Sequence, residues 1–167
     1  LEAVARATSE RVHLNADDQN LLPFGGSLQA SVSWFGLSER VADQVGDLGY
    51  APTYAAPRRR PEAEVTLTSL DGRSAVVSTP RGELAFTLPA EGAHFAVDAI
   101  AAISLSLTLL ETPDVALIAR TLDEVPPVFA RGEVIDIEGQ PVQLVLVQNP
   151  ASMQLNLDAL NPDLDCI

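Results

Sequence analysis

Residues 129–150 read FARGEVIDIEGQPVQLVLVQNP and hold two strand-like runs about one tight turn. In residues 133–137 apolar and polar positions alternate, with β-branched Val134, Ile135 and Ile137. Residues 142–147 do the same with Leu144 and Leu146, so both runs suit a pleated surface. Glu138-Gly139-Gln140 between them supplies the glycine that a hairpin turn needs. A hairpin alone does not explain its flanks, Arg131-Gly132-Glu133 before it and Gln148-Asn149-Pro150 after it.

Composition bounds the rest. A chain of 167 residues that is 47% hydrophobic can bury a substantial core, in one domain or in parts of two. A net charge of −13 argues against a nucleic-acid partner or an anionic membrane surface, both of which need a basic patch. Lysine is absent and all ten basic residues are Arg, which excludes a Schiff-base or P-loop lysine in these residues. The basic run Arg58-Arg59-Arg60, between Pro57 and Pro61, reads as a solvated loop. The single cysteine, Cys166, allows neither an internal disulfide nor a thiolate zinc site, and fits a reducing, cytoplasmic setting. Residues 95–110 are the most apolar run. They fall short of the ~20 residues a membrane span requires and contain Asp98, Ser104, Ser106 and Thr108, so a buried helix is expected there. The opening at Leu1, without an initiator Met, reads as internal to a longer protein.

Taken in order, residues 1–10 read as the end of a helix and 11–14 as a short strand that runs into Asn15-Ala16-Asp17-Asp18. Two adjacent carboxylates at a strand's C-terminal end lie where α/β sheets place their ligands, and could stand near Mg²⁺. Asn and Asp also terminate strands and cap turns, and turn chemistry alone favours that plainer reading of them. Residues 19–26 read as loop and 30–35 (ASVSWF) as a strand, with Trp34 in the core. A short helix follows over 39–45, and residues 46–61 have no period and read as a surface connection. Strands over 63–70, 74–79 and 83–88, joined by Asp71-Gly72 and Arg81-Gly82, form an antiparallel meander. Residues 93–110 form a helix packed on most sides. A second helix runs from Pro113-Asp114 to Val125 with a stripe of Val115, Leu117, Ile118 and Leu122, and Pro126-Pro127 ends it. That break divides the chain into residues 1–125 and 128–167. Ser152 can cap a helix to Leu160, and residues 163–167 start another strand. The fold class expected is mixed α/β.

The order of these features resembles the back half of the central domain of the Mur ligase family: Asn15-Ala16-Asp17-Asp18, a strand ending Phe35-Gly36-Leu37, a β meander, then Gly92-Ala93-His94 opening a long Ala-rich helix. Arg131-Gly132-Glu133, the hairpin and Asn149-Pro150-Ala151 resemble the entry to the C-terminal domain in the MurT branch. The resemblance covers nearly the whole chain. It implies a cytoplasmic ATP- and Mg²⁺-dependent ligase of cell-wall synthesis. In that branch the D-glutamate α-carboxylate of lipid II is activated as an acyl phosphate, and ammonia from a GatD-like glutaminase partner converts it to the amide. It further implies that Asp98, Arg131 and Asn149 line a nucleotide cleft, with Asn15, Asp17 and Asp18 near Mg²⁺.

The departures are specific. Phe95 and Asp98 stand where the family has two adenine-contacting Asn residues, and a phenyl ring cannot replace an amide's paired donor and acceptor. Gln148 and Ser152 replace a lysine and a glycine, and the branch's four-cysteine zinc ribbon is absent. The family's phosphate loop would precede Leu1 and its Asp-rich catalytic segment would follow Ile167. Accordingly no catalytic residue and no metal ligand are assigned to these residues, and no cofactor is expected bound to them alone. Two rivals stand beside this reading: a diverged, non-catalytic Mur-like module with a protein-interaction role, and a folate-type polyglutamate ligase of the same superfamily.

Overall fold

Five strands make one mixed sheet in the order β1 (Arg11–Asn15), β2 (Ser31–Leu37), β3 (Val65–Asp71), β4 (Ser74–Thr79), β5 (Gly82–Thr87). The computed structural model describes residues 2–54, 56–126, 131–147, 153–154 and 156–157. β1, β2 and β3 are parallel, and β3, β4 and β5 form the antiparallel meander expected from the Asp-Gly and Arg-Gly joints. Helices α1 (Glu2–Ala7), α2 (Glu39–Val45), α3 (Ala93–Leu109) and α4 (Val115–Asp123) complete this part. A bulge between Leu67 and Ser69 shifts the β3 register, so that Val65, Leu67 and Leu70 all reach the core.

α3 packs across β1, β2 and β3 through Ala96, Ala99, Ile100, Ile103 and Ser104, the 3–4 spacing of one helical face. The small alanines let the helix lie close to the sheet, and Ile100 and Ile103 are fully buried against it. At the β1 edge, His13 Nδ1 and Ser104 Oγ meet at 2.7 Å. Burial first, then the nearby Arg11 guanidinium, holds His13 below the ordinary imidazole value, with Glu64 opposing. α2 begins at an N-cap, where Ser38 Oγ accepts from Val41 N, and its Arg40 and Gln44 side chains donate to β3 carbonyls. α4 begins at Asp114, whose carboxylate accepts from the amides of Ala116 and Leu117, and ends against β5, where Thr87 N donates to Asp123.

β6 (Arg131–Ile137) and β7 (Gln140–Val145) pair as a separate two-stranded sheet. Their turn has two residues, Glu138 and Gly139, both with positive φ (54° and 83°), which is the hairpin turn whose twist matches the strands. Gln140, expected in the turn, pairs with Ile137 as the first residue of β7.

Several expectations are corrected. α3 is covered on one face rather than on most sides: Asp98 and Leu105 are exposed, and Leu109 is 71% exposed. On α4 the buried-side stripe is Val115, Ile118, Ala119 and Leu122, while Leu117 is 52% exposed, because two residues on from Val115 is about 200° around the helix. Residues 19–26 are not all loop, since Leu22–Gly26 form a 3₁₀ turn. Among the described residues of 46–61 there is no regular element, yet Leu48 and Tyr50 pack into the core. Trp34 is half-buried rather than core: it alternates with Ser33 and Phe35, which share the α3 face with His13, and so it lies on the opposite face of the sheet. Pro127, Asn149, the Ser152 cap and the strand expected over 163–167 lie outside the described residues. No helix among the described residues is long and apolar enough to cross a membrane.

The packing gives a direct contrast. Ile100→Ala should cost about 2–5 kcal/mol, whereas Leu109→Ala should stay within about 0.5 kcal/mol. Urea unfolding of the two variants measures both, and equal midpoints would contradict the placement of α3.

Candidate functional site

At the C-terminal end of β1 the polar run Asn15-Ala16-Asp17-Asp18 turns the chain out of the sheet. Ala16 N still donates to Phe35 O at 2.8 Å, so the turn starts only after the strand has paired fully. Asn15 is buried, and its carboxamide serves both sides: Oδ1 accepts from Asp17 N at 2.9 Å and Nδ2 donates to the Tyr50 hydroxyl at 2.8 Å. Asp18 Oδ1 accepts from the backbone and side-chain nitrogens of Asn20, at 2.9 and 3.1 Å, and Asn20 Nδ2 donates to Ala51 O.

Asp17 is the centre of this arrangement. Its Oδ2 accepts from Leu37 N at 2.8 Å and its Oδ1 from Arg60 Nε at 2.6 Å, while Arg60 Nη2 donates to Leu37 O at 2.6 Å. The acid takes the N–H and the base the C=O of one residue, the last of β2. This needs glycine at position 36: a Cβ there would lie 2.6 Å from Arg60 Nη2, 2.7 Å from Asp17 Oδ2 and 3.3 Å from Ala16 Cβ. Burial, with added repulsion from the charges of Asp17 and Asp18, pushes the Tyr50 hydroxyl up to about 12, while the Asn15 hydrogen bond acts the other way.

These carboxylates do not fit a divalent cation. Both Asp17 oxygens and one Asp18 oxygen are taken by protein donors, and Arg60 already supplies the positive charge a cation would bring. Among the described residues there is no group of three or more His, Cys, Asp or Glu able to hold a metal. The sequence candidates thus divide. Asn15, Asp17 and Asp18 come together. Asp98 is exposed on α3, and no hydrogen bond or ion pair joins it to them among the described residues. The Arg131 side chain and Asn149 lie outside the described residues. Arg60, Tyr50 and Gly36 belong to the site and were not expected in it. Arg60 is exposed, as the solvated-loop reading expects, but it is also paired with Asp17, 43 residues away along the chain, and only the crowding of three arginines between two prolines hints at a placed segment.

Known structures share this architecture. A pseudomurein peptide ligase type C from Methanothermus fervidus matches 92% of the chain at a TM-score of 0.73 and 18% identity. MurF from Acinetobacter baumannii matches 90% at 0.64 and 18% identity. A UDP-N-acetylmuramoylalanyl-D-glutamyl-2,6-diaminopimelate--D-alanyl-D-alanyl ligase from Acinetobacter baumannii matches 89% at 0.65 and 17% identity. The chain covers 35%, 29% and 29% of those three structures, so it spans about a third of their length. No family model matches the chain, and no curated protein does. The mixed five-stranded sheet with its helices and separate hairpin is a Mur ligase domain fold.

Two measurements follow from the geometry. Gly36→Ala should destabilise the chain by about 1–3 kcal/mol, because the crowding atoms belong to a bonded ion pair and the methyl of Ala16, which have little room to yield; an unchanged urea midpoint would contradict the close approach. Tyr50 holds its proton more tightly in the folded chain than an ordinary tyrosine does, so its contribution is whole below about pH 10 and is lost as pH rises through about 12. Unfolding midpoints across that range should fall, and Tyr50→Phe should flatten the slope.

Proposed function

We propose that the chain is a section of a Mur-type ATP-dependent ligase that forms an amide bond on a peptidoglycan-type precursor. The observation that carries this reading is the fold shared over about nine-tenths of the chain with pseudomurein and murein peptide ligases. In this reading the run from Asn15 to Asp18 does not supply the catalytic cation site. It locks the ends of β1 and β2 and the residue 46–61 connection into one rigid rim, on which groups from other parts of the ligase would act.

Within that class we favour the amidating MurT-like branch, with lipid II as acceptor and a GatD-like glutaminase as ammonia source. Support comes from Arg131-Gly132-Glu133 and Asn149-Pro150 at the two ends of the hairpin. The division at Pro126-Pro127 belongs to the same proposal, with residues 1–125 in the central domain and 128–167 opening the next. Phe95 and Asp98, in place of two amides, favour the second reading, a non-catalytic Mur-like module that binds another protein.

The whole protein, produced from its full coding sequence, separates the readings. A ligase of the amidating branch should turn over ATP only when a muropeptide with a free D-glutamate α-carboxylate is present together with ammonia or a glutaminase and glutamine. Turnover that needs an amino acid or dipeptide instead would move it to another Mur-type branch, and no turnover under any pairing would leave the interaction module. In an active whole protein Arg131→Ala should weaken ATP about tenfold, or ~1.4 kcal/mol; unchanged affinity would remove Arg131 from the site.

A further inference from the structure

On the face of the sheet away from α3, the half-buried Trp34 indole lines a cavity of about 500 Å³ together with Leu22, Gly25, Gly26, Arg58 and Arg59. That volume lies in the range of small-molecule sites. We infer that it binds a small anion carrying a planar ring, a nucleoside monophosphate or comparable aromatic phosphate, with the phosphate on Arg58 and Arg59 and the ring against Trp34.

The argument begins with the arginines. The chain carries a net charge of −13, yet two of its ten basic residues line this cavity, and neither has an ion-pair partner among the described residues. No acid lines the cavity, and the nearby Asp17 is already held by Arg60. The segment that bears them is also fixed. Arg58 N donates to Gln19 Oε1 at 3.0 Å, Gln19 Nε2 donates back to Arg58 O at 3.3 Å, and Arg60 is tied to Asp17. Pro57 and Pro61 stiffen both ends. Arginine on a fixed backbone suits the bidentate recognition of phosphate oxygens.

The ring pocket is built as specifically. A Cβ on Gly25 would lie 2.9 Å from Trp34 Cζ2, so the Leu22–Gly26 turn approaches the indole as closely as its backbone allows and walls one side of it. A Cβ on Gly26, one residue on, would meet nothing within 4 Å, so the space opens there. A planar group entering it gains aromatic contact and shields the guanidinium–phosphate pairs from water. This cavity is on the opposite face of the sheet from α3, where Phe95 and Asp98 lie, and it calls for no metal ion, so it is independent of the ligase reading.

Trp34 is the sole tryptophan, which makes emission from the full chain a direct probe. Uridine monophosphate suits the titration because its base does not absorb at the red edge of tryptophan excitation; EDTA excludes metal-dependent binding. The expected result is a saturable change in emission with half-saturation below about 1 mM. Uridine and inorganic phosphate should each bind at least about tenfold more weakly, and added salt should weaken the monophosphate further. The double variant Arg58→Ala/Arg59→Ala should lose at least about tenfold in affinity with an unchanged circular dichroism spectrum. Gly26→Leu should abolish the response by filling the cavity; should that variant unfold, the arginine variant decides alone. No saturable change with uridine monophosphate would overturn the inference, as would an equal response from uridine, from phosphate or from the arginine variant.

Discussion

A carboxylate whose side chain is only 14% exposed has lost most of its water, and the fold holds together at Asp17 because two separate stretches replace that water. The Leu37 amide ends β2 on one oxygen. Arg60, from the far end of the 46–61 connection, takes the other and returns to the Leu37 carbonyl. The arrangement works only because residue 36 has no side chain. Around it, Asn15 to Tyr50, Asn20 to Ala51 and Gln19 to Arg58 repeat the same logic, joining the turn after β1 to the long connection after α2. An aperiodic segment with several prolines and glycines would otherwise carry a large conformational entropy, and these ties offset part of it with hydrogen bonds, of which Asn15 to Tyr50 is part-buried.

The strands were legible because their signals are local. Alternation placed β1, β2 and the meander within a few residues, and Asp71-Gly72 and Glu138-Gly139 marked turns through their backbone chemistry alone. The helices were legible in extent and less so in orientation. A run as apolar as residues 93–110 does not declare which side is covered, and here the sheet covers only the side of Ile100 and Ile103, leaving Leu105 and Leu109 outside. For Trp34, composition says strand, but its face is set by the pairing of His13 with Ser33 and by the contact of His13 with Ser104. That information sits 91 residues away in sequence.

The candidate site was half legible for the same reason. Asn15, Asp17 and Asp18 announce themselves as a polar cluster after a strand. What that cluster does depends on Arg60 and Tyr50, which share no period or motif with it. The sequence left two readings of these acids open, and the bonded geometry favours the one in which they end a strand and fix a turn.

That outcome bears on how a Mur ligase fold can be used. Parallel sheets offer the C-terminal ends of their strands to ligands because loops there can be varied without disturbing the core. A rim can contribute in two ways: by lending its own charged groups to a ligand, or by standing rigid while other groups do the chemistry. An Asp paired with an Arg at 2.6 Å has its charge compensated and its lone pairs directed inward, so it contributes little field to a ligand outside. Asp18 beside it keeps a negative charge held only by the neutral Asn20, while Arg58 and Arg59, one and two residues from the arginine that closes the rim, carry positive charge with no ion-pair partner among the described residues. A strongly acidic chain that pairs its sheet-end Asp17 with Arg60 and leaves Arg58 and Arg59 without an acid partner keeps positive charge beside that edge, which is what an anion rather than a cation would seek.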